Sequence, residues 1–262
     1  MLALRCRRAS GTSRRSSSEA QRRTGASSSQ FVNDPHLHRT RIKICGITRI
    51  ADAQAVVDAG ADALGLVFWP GTPRVVGVDQ AQAIVATLPP YMTVVGLFVD
   101  PEPADVRSVL AAVPIDVLQF HGSEPAALCR AFGRRYVKAI PVTDDVDLLE
   151  SVSPYDDAAG LLFDAFSEGD LPGGTGRVFD WGRLTARVRA RLTRPLILSG
   201  GLNAGNVARA IGDVRPWAVD VSSGVEELDA NGAPRRGFKD PVRIRAFMQG
   251  VRSADGGALP TA

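Results

Sequence analysis

Residues 194–226 hold two related stretches. The first reads Arg194-Pro-Leu-Ile-Leu-Ser-Gly-Gly-Leu-Asn-Ala-Gly-Asn-Val207, and the second, a helix length later, reads Trp217-Ala-Val-Asp-Val-Ser-Ser-Gly-Val-Glu226. Each is a short β-rich apolar run, Leu196–Leu198 and Trp217–Val221, that stops in small residues, Ser199-Gly200-Gly201 and Ser222-Ser223-Gly224. Small residues at a strand end let backbone N–H groups approach an anion closely. After Gly201, Asn203 is placed to cap a helix through Asn206, Val207 and Ile211, which would aim free amides and the positive end of the helix dipole at the strand tip. One such loop is an ordinary turn; two side by side would clamp a phosphate.

Working outward, the same strand and helix unit recurs. Strands are predicted at Arg41–Ile47, Ala63–Phe68, Thr93–Val99, Asp116–Phe120, Tyr136–Pro141 and Gly160–Phe166, ahead of the two already quoted. Helices are predicted at Ala51–Ala59, ended by Gly60; Asp79–Leu88, stopped by Pro89-Pro90; a span opening at Pro101–Pro103 and ending before Pro114; Pro125–Phe132; Asp145–Ser151; Trp181–Leu192; the span capped by Asn203; and Pro241–Gly250. Strands this apolar on both faces belong to a parallel sheet covered by helices, joined by right-handed crossovers. Eight equal pairs in roughly 210 residues point to a closed (β/α)₈ TIM barrel of the α/β class rather than an open sheet. In that architecture reactive groups stand at the C-terminal strand ends, and phosphate is commonly held by loops 7 and 8, where the clamp falls.

Composition agrees with one catalytic-size domain over residues 40–250: 262 residues, 45% hydrophobic, are enough for a sizeable core. No apolar run approaches the roughly 20 residues that span a bilayer. Residues 1–40 carry eight arginines against Glu19 and Asp34, a balance of +6 within a whole-chain charge of +3, so the remainder is −3. That body has no basic stripe interleaved with aromatics, which argues against nucleic acid as a partner. Residues 1–39, rich in Arg and Ser without periodic apolar positions, are expected to be a disordered tail, either an organelle transit peptide or a leader upstream of the true start. Residues 251–262 are expected to be a C-terminal tail. Cys6, Cys45 and Cys129 are too few and scattered for disulfides or a metal cluster, which fits a reducing, cytoplasmic setting.

Chemistry is sought at the other strand tips. Strand 1 ends Lys43-Ile-Cys-Gly-Ile-Thr48, placing Cys45 at the mouth, where it is either a small core hydrophobe or a reactive thiol. Cys129, in a helical apolar pattern, reads as core. Strand 6 ends in Asp164, an acid emerging from a fully apolar run. The following Pro172-Gly-Gly-Thr-Gly176 has Thr175 where a nucleotide loop requires lysine, so ATP binding is rejected and Gly174 and Thr175 read as part of a mobile lid. Arg74, presented by a proline-rich turn after strand 2, could take a substrate carboxylate bidentately or be a solvated loop charge. Gln119 and His121 share one face of strand 4 by alternation; His36 and His38 lie in the tail, so His121 is assigned hydrogen bonding rather than metal binding.

Taken together, Lys43-Ile-Cys-Gly-Ile-Thr48, Thr72-Pro-Arg74, Val95-Gly-Leu-Phe-Val99, Leu118-Gln-Phe-His-Gly122, Val137-Lys-Ala-Ile140, Leu162-Phe-Asp164, Gly173-Gly-Thr-Gly176, Leu198-Ser-Gly-Gly-Leu202 and Val219-Asp-Val-Ser-Ser-Gly-Val-Glu226 resemble the phosphoribosylanthranilate isomerases of tryptophan biosynthesis. The resemblance runs in order from Arg41 to about Gly250 and departs at Thr72, where the family usually has Ser. It implies an Amadori rearrangement of N-(5′-phosphoribosyl)anthranilate, with Asp164 as general acid, Cys45 thiolate as base, Arg74 on the anthranilate carboxylate, and Gly200, Gly201, Asn203, Ser223 and Gly224 around the phosphate. Gln119, His121, Gly174 and Thr175 would complete substrate binding. No cofactor is required, because the substrate's iminium nitrogen is the electron sink. The implied partner is the small-molecule substrate; contact with neighbouring tryptophan-pathway enzymes is not read from the sequence.

Strands 1 and 6 are three steps apart on a ring of eight, so Cys45 and Asp164 should flank the mouth. Alternation also puts Lys43 on the inward face with Cys45, and Asp220 on that of Ser222 in strand 8, which closes against strand 1. A buried Lys43–Asp220 pair follows as an expectation, with its ammonium roughly 6–7 Å below the thiol by strand rise. The runner-up is the histidine-pathway aminoaldose isomerase, whose pattern puts Asp where Cys45 stands. A non-catalytic sugar-phosphate-binding barrel is the other alternative.

Overall fold

The computed structural model describes residues 39–165 and 179–256. Eight parallel strands, β1 Arg41–Cys45, β2 Ala63–Val67, β3 Thr93–Phe98, β4 Val117–Phe120, β5 Arg135–Val142, β6 Gly160–Ala165, β7 Leu196–Leu198 and β8 Ala218–Val221, follow one another round a closed barrel. β8 pairs back to β1 with Lys43 opposite Asp220, while on the other side of β1 Cys45 is opposite Gly65. This is the (β/α)₈ barrel that the repeat predicts.

The helices are α1 Ile50–Ala59, α2 Val78–Val85, α3 Pro103–Ala112, α4 Ala126–Arg130, α5 Leu148–Val152, α6 Ala186–Arg191, α7 Val207–Val214 and α8 Pro241–Gly256. Their starts and stops follow local chemistry: Pro103 opens α3 where a missing N–H costs nothing, and Gly60 ends α1 in the left-handed region, its N–H donating to the Val56 and Val57 carbonyls. Strand residues such as Ile44, Leu64, Leu118, Phe163 and Val219 are buried together with helix residues Val56, Ile84, Val106, Val207 and Phe247. Each such side chain contributes about 1.5–3 kcal/mol by leaving water. The barrel therefore holds its strand tips on a rigid base.

Several details differ from the sequence reading. The span Trp181–Leu192 is split into a 3-10 turn at Trp181–Arg183 and α6, because Asp180 accepts from the Gly182 N–H and Thr185 accepts from the Val188 N–H, each starting its own segment. Gly250 does not stop α8, which continues to Gly256 with Val251 buried, so the expected C-terminal tail begins as helix. Gly250 instead allows close packing: a methyl group there would lie 2.8 Å from Val207 Cγ1. Beyond β8 the chain forms an unforeseen hairpin, β9 Glu226–Leu228 and β10 Pro234–Lys239. Arg39, expected to end the tail, has its guanidinium paired with Asp62. Among the described residues no helix is long and apolar enough to cross a membrane.

Candidate active site

Cys45 is the last residue of β1 and Asp164 the fifth of six residues in β6, so both stand at the C-terminal end of a parallel barrel, three strands apart. Both are buried. Lys43 Nζ donates to Asp220 Oδ2 at 2.9 Å, the buried pair expected from strand alternation. A methyl group on Gly65 would lie 2.8 Å from Cys45 Sγ and 3.1 Å from Lys43 Nζ, so the lysine stem climbs beside the thiol and only glycine leaves room for both. Burial pushes the Cys45 thiol up from its ordinary value; the charge of the nearby Lys43 ammonium opposes that rise, and the Asp220 charge adds to it. Burial likewise works against the Lys43 charge, but Asp220 and Cys45 outweigh it and the ammonium is held above its ordinary range.

On the facing side, Asp164 Oδ1 accepts from the Ala165 N–H at 2.8 Å and Oδ2 lies 3.1 Å from His121 Nε2. The other ring nitrogen, Nδ1, is 3.1 Å from Gln119 Nε2. With the Gln119 amide donating to Nδ1, the neutral ring carries its hydrogen on Nε2 and donates it to Asp164. Gln119, His121 and Asp164 thus form one chain, which strand alternation hinted at only for the first two.

Loops 7 and 8 and the start of α8 enclose a cavity of about 430 Å³, lined by Gly201, Asn203, Gly205, Ser223, Gly224 and Arg243 among others. Gly224 lets the loops meet: a methyl group there would be 1.9 Å from the Leu202 carbonyl oxygen. The N–H groups of Gly200 and Gly201 have no backbone partner among the described residues. Gly200 itself stands against the β6 tip, where a methyl group would be 3.1 Å from Asp164 Oδ1, rather than lining the cavity. Asn203 does not cap the helix. Its N–H donates to Asn206 Oδ1 and its Oδ1 accepts from the Gly205 N–H, an Asx turn that delays α7 until Val207 and leaves Asn206 at the N-cap. Gly174 and Thr175, with the lid assigned to Pro172–Gly176, lie outside the described residues.

The family model for N-(5′-phosphoribosyl)anthranilate (PRA) isomerase matches residues 42–250. The N-(5′-phosphoribosyl)anthranilate isomerase of Alcanivorax borkumensis is 50% identical over 213 residues, covering 81% of this chain and 95% of that protein. That of Pseudomonas fluorescens is 51% identical over 215 residues, 82% of this chain and 97% of its own length.

This chain belongs to the N-(5′-phosphoribosyl)anthranilate isomerase family.

Its activity is therefore the isomerisation of N-(5′-phosphoribosyl)anthranilate in tryptophan biosynthesis. Among solved structures, phosphoribosyl anthranilate isomerase from Thermotoga maritima is 39% identical with a TM-score of 0.73, covering 82% of this chain and 99% of that one. A phosphoribosyl anthranilate isomerase crystallised with reduced 1-(o-carboxyphenylamino)-1-deoxyribulose 5-phosphate is 38% identical, TM-score 0.70, with the same coverage.

Against this isomerase background Arg74 proves to be no solvated loop charge. It is buried, and its Nε and Nη2 donate to Glu226 Oε1 and Oε2 at 2.7 and 2.9 Å. Thr72, which stands where the family usually has Ser, places its hydroxyl 3.4 Å from the Arg74 N–H and so keeps the turn. Lys239, in β10, donates to Glu226 Oε1 at 3.1 Å and to the Ser222 carbonyl at 3.0 Å. Neither Glu226 nor Lys239 was singled out from sequence, although Glu226 closes the eighth motif loop. Two cations, Arg74 and Lys239, thus share the Glu226 carboxylate beside the strand 8 tip. Trp69 and Val99 complete a second apolar patch with Cys45, Val67 and Leu97.

Glu226 also makes acid stability predictable. Burial would raise its pKa, but Arg74 and Lys239 overcome that and hold it at about 2, below its ordinary 4.5. A carboxyl depressed in the folded state contributes stability that is complete above its unfolded pKa and is lost as pH falls toward the folded one. Glu226→Gln should therefore cost about 3 kcal/mol of unfolding free energy at neutral pH, with the deficit closing between pH 4.5 and 2. Urea unfolding of both proteins across that range measures it; a pH-independent deficit would contradict the assignment.

Proposed function

We propose that Cys45 and Asp164 carry the rearrangement as base and acid. The supporting observation is that both buried groups stand at the same barrel end on strands three apart. Asp164 gives a proton to the ribose ring oxygen as the anthranilate nitrogen lone pair expels it from C1′, opening the ring to an iminium. Cys45 thiolate then takes the C2′ proton, and the C–H electron pair flows toward the iminium nitrogen to give the enolamine. Proton return at C1′ and loss of the enol proton yield the ketose.

The Arg74 guanidinium, held in place by Glu226, suits the anthranilate carboxylate, and the patch of Val67, Leu97 and Trp69 beside Cys45 suits its ring. The cavity between loops 7 and 8 takes the phosphate, with Gly201, Ser223 and Gly224 as lining, Gly200 supplying an N–H at its edge and Asn203 folding the loop. Gln119 acts on substrate through His121 and Asp164. The ligand of the solved relative, a reduced product form, is the class of molecule this site accepts. A reducing cytoplasm, which keeps Cys45 a free thiol, is the setting in which this chemistry works.

The purified chain should consume phosphoribosylanthranilate, followed as loss of its fluorescence, at a rate unchanged by a strong chelator, since the nitrogen of the substrate already serves as electron sink. Persistent fluorescence, or activity that chelation abolishes, would overturn the reading.

A further inference from the structure

We propose that Arg243 is the cation of the phosphate site, a role that rests on the cavity between loops 7 and 8 being that site. A phosphomonoester carries roughly −2 at neutral pH, and residues 41–262 have a net charge of −3. Glycine amides orient such an anion but bring no full charge. Among the residues lining the cavity Arg243 is the charged one.

Its placement is specific. Arg243 lies in the first turn of α8, and Ala246, three residues on, lines the same cavity with a side chain too short to fill it. Arg243 Nη2 donates to the Gly224 carbonyl at 3.2 Å, which ties the guanidinium to the loop that forms the cavity wall. No carboxylate lies within salt-bridge distance of it among the described residues, whereas Arg49, Arg74, Arg130 and Arg235 each have one. Its Nε is buried and has no hydrogen-bond partner. A guanidinium with unused donors, fixed at one corner beside a glycine-lined cavity, is matched to a tetrahedral dianion through charge-assisted hydrogen bonds.

The test compares wild type, Arg243→Gln, Arg243→Met and Arg243→Lys in steady-state turnover and in competitive inhibition by inorganic phosphate, with thermal unfolding to verify the fold. Both neutral variants should raise KM and the phosphate inhibition constant by roughly tenfold or more, with a much smaller fall in kcat, and Arg243→Lys should recover most of both. A purely structural tie to Gly224 would leave phosphate inhibition indifferent to charge, so an unchanged inhibition constant in either folded neutral variant overturns the proposal. Gly224→Ala separates the two levels of argument. If phosphate inhibits this variant as it does wild type, the cavity is not the phosphate site and the inference falls with it; if only the Arg243 variants are silent, the cavity stands and the role of Arg243 alone fails.

Discussion

Asp164→Asn is expected to lower kcat by roughly 10²- to 10⁴-fold, the range a positioned proton donor supplies, while changing KM by far less. The amide has nearly the volume of the carboxyl and can still accept from the Ala165 N–H, so the β6 tip should keep its form. What it cannot do is hand a proton to the ribose ring oxygen. The contact of Asp164 with His121 and the backing of His121 by Gln119 hold the carboxyl oxygens in one orientation at a buried site, where misalignment would be costly. Ring opening is the step that creates the iminium, so its failure starves everything downstream rather than weakening binding. Fluorescence decay at saturating phosphoribosylanthranilate, with circular dichroism as the folding control, measures the loss. Retention of more than about a tenth of wild-type kcat would remove Asp164 from the acid role, since no proton-transfer contribution within the usual range is that small.

The parts of this molecule that were legible in its sequence are those written in local chemistry. Gly60 and Pro103 mark helix ends by rules that need no tertiary context, and eight apolar runs of strand length require a parallel sheet covered by helices, so the barrel and its catalytic end followed together. The Lys43–Asp220 pair was reachable because closure makes β8 and β1 neighbours and alternation does the rest. Glu226 and Arg74 are 152 positions apart, and no periodicity links them; burial of the pair exists only after the hairpin folds over the β8 tip. The hairpin is not legible because its strands, Glu-Glu-Leu and Pro-Arg-Arg-Gly-Phe-Lys, lack the alternation of apolar and polar residues that marks a strand. Asn203 misled because its side chain is taken up in an Asx turn with the Gly205 N–H, which delays α7 until Asn206 stands at the N-cap without a side-chain cap bond of its own. Strand rise located the Lys43 backbone but not the direction of its four-carbon stem, which rises beside Gly65 along with the Cys45 side chain.

Cys45→Ala should lose a comparable share of kcat, roughly 10²- to 10⁴-fold, and Cys45→Ser should not recover it, because a serine hydroxyl is far too weakly acidic to serve as an anionic base here. The informative variable is pH. Burial raises the Cys45 pKa, so the thiolate fraction, and with it proton abstraction from C2′, should increase as pH rises above neutrality. The Lys43 charge opposes that rise, helped by the Lys239 charge. In Lys43→Met the opposition disappears, which disfavours the thiolate. The alkylation profile of Cys45, read peptide by peptide by mass spectrometry so that buried Cys129 does not contribute, should shift to higher pH. The activity profile should shift the same way, with lower turnover at pH 7 and partial recovery in alkaline buffer. Simple loss of packing at the barrel floor would reduce activity at every pH by one factor and leave the thiol titration where it was. A folded Lys43→Met protein whose alkylation curve overlays that of wild type would therefore separate the ammonium from the chemistry of Cys45, whatever its turnover.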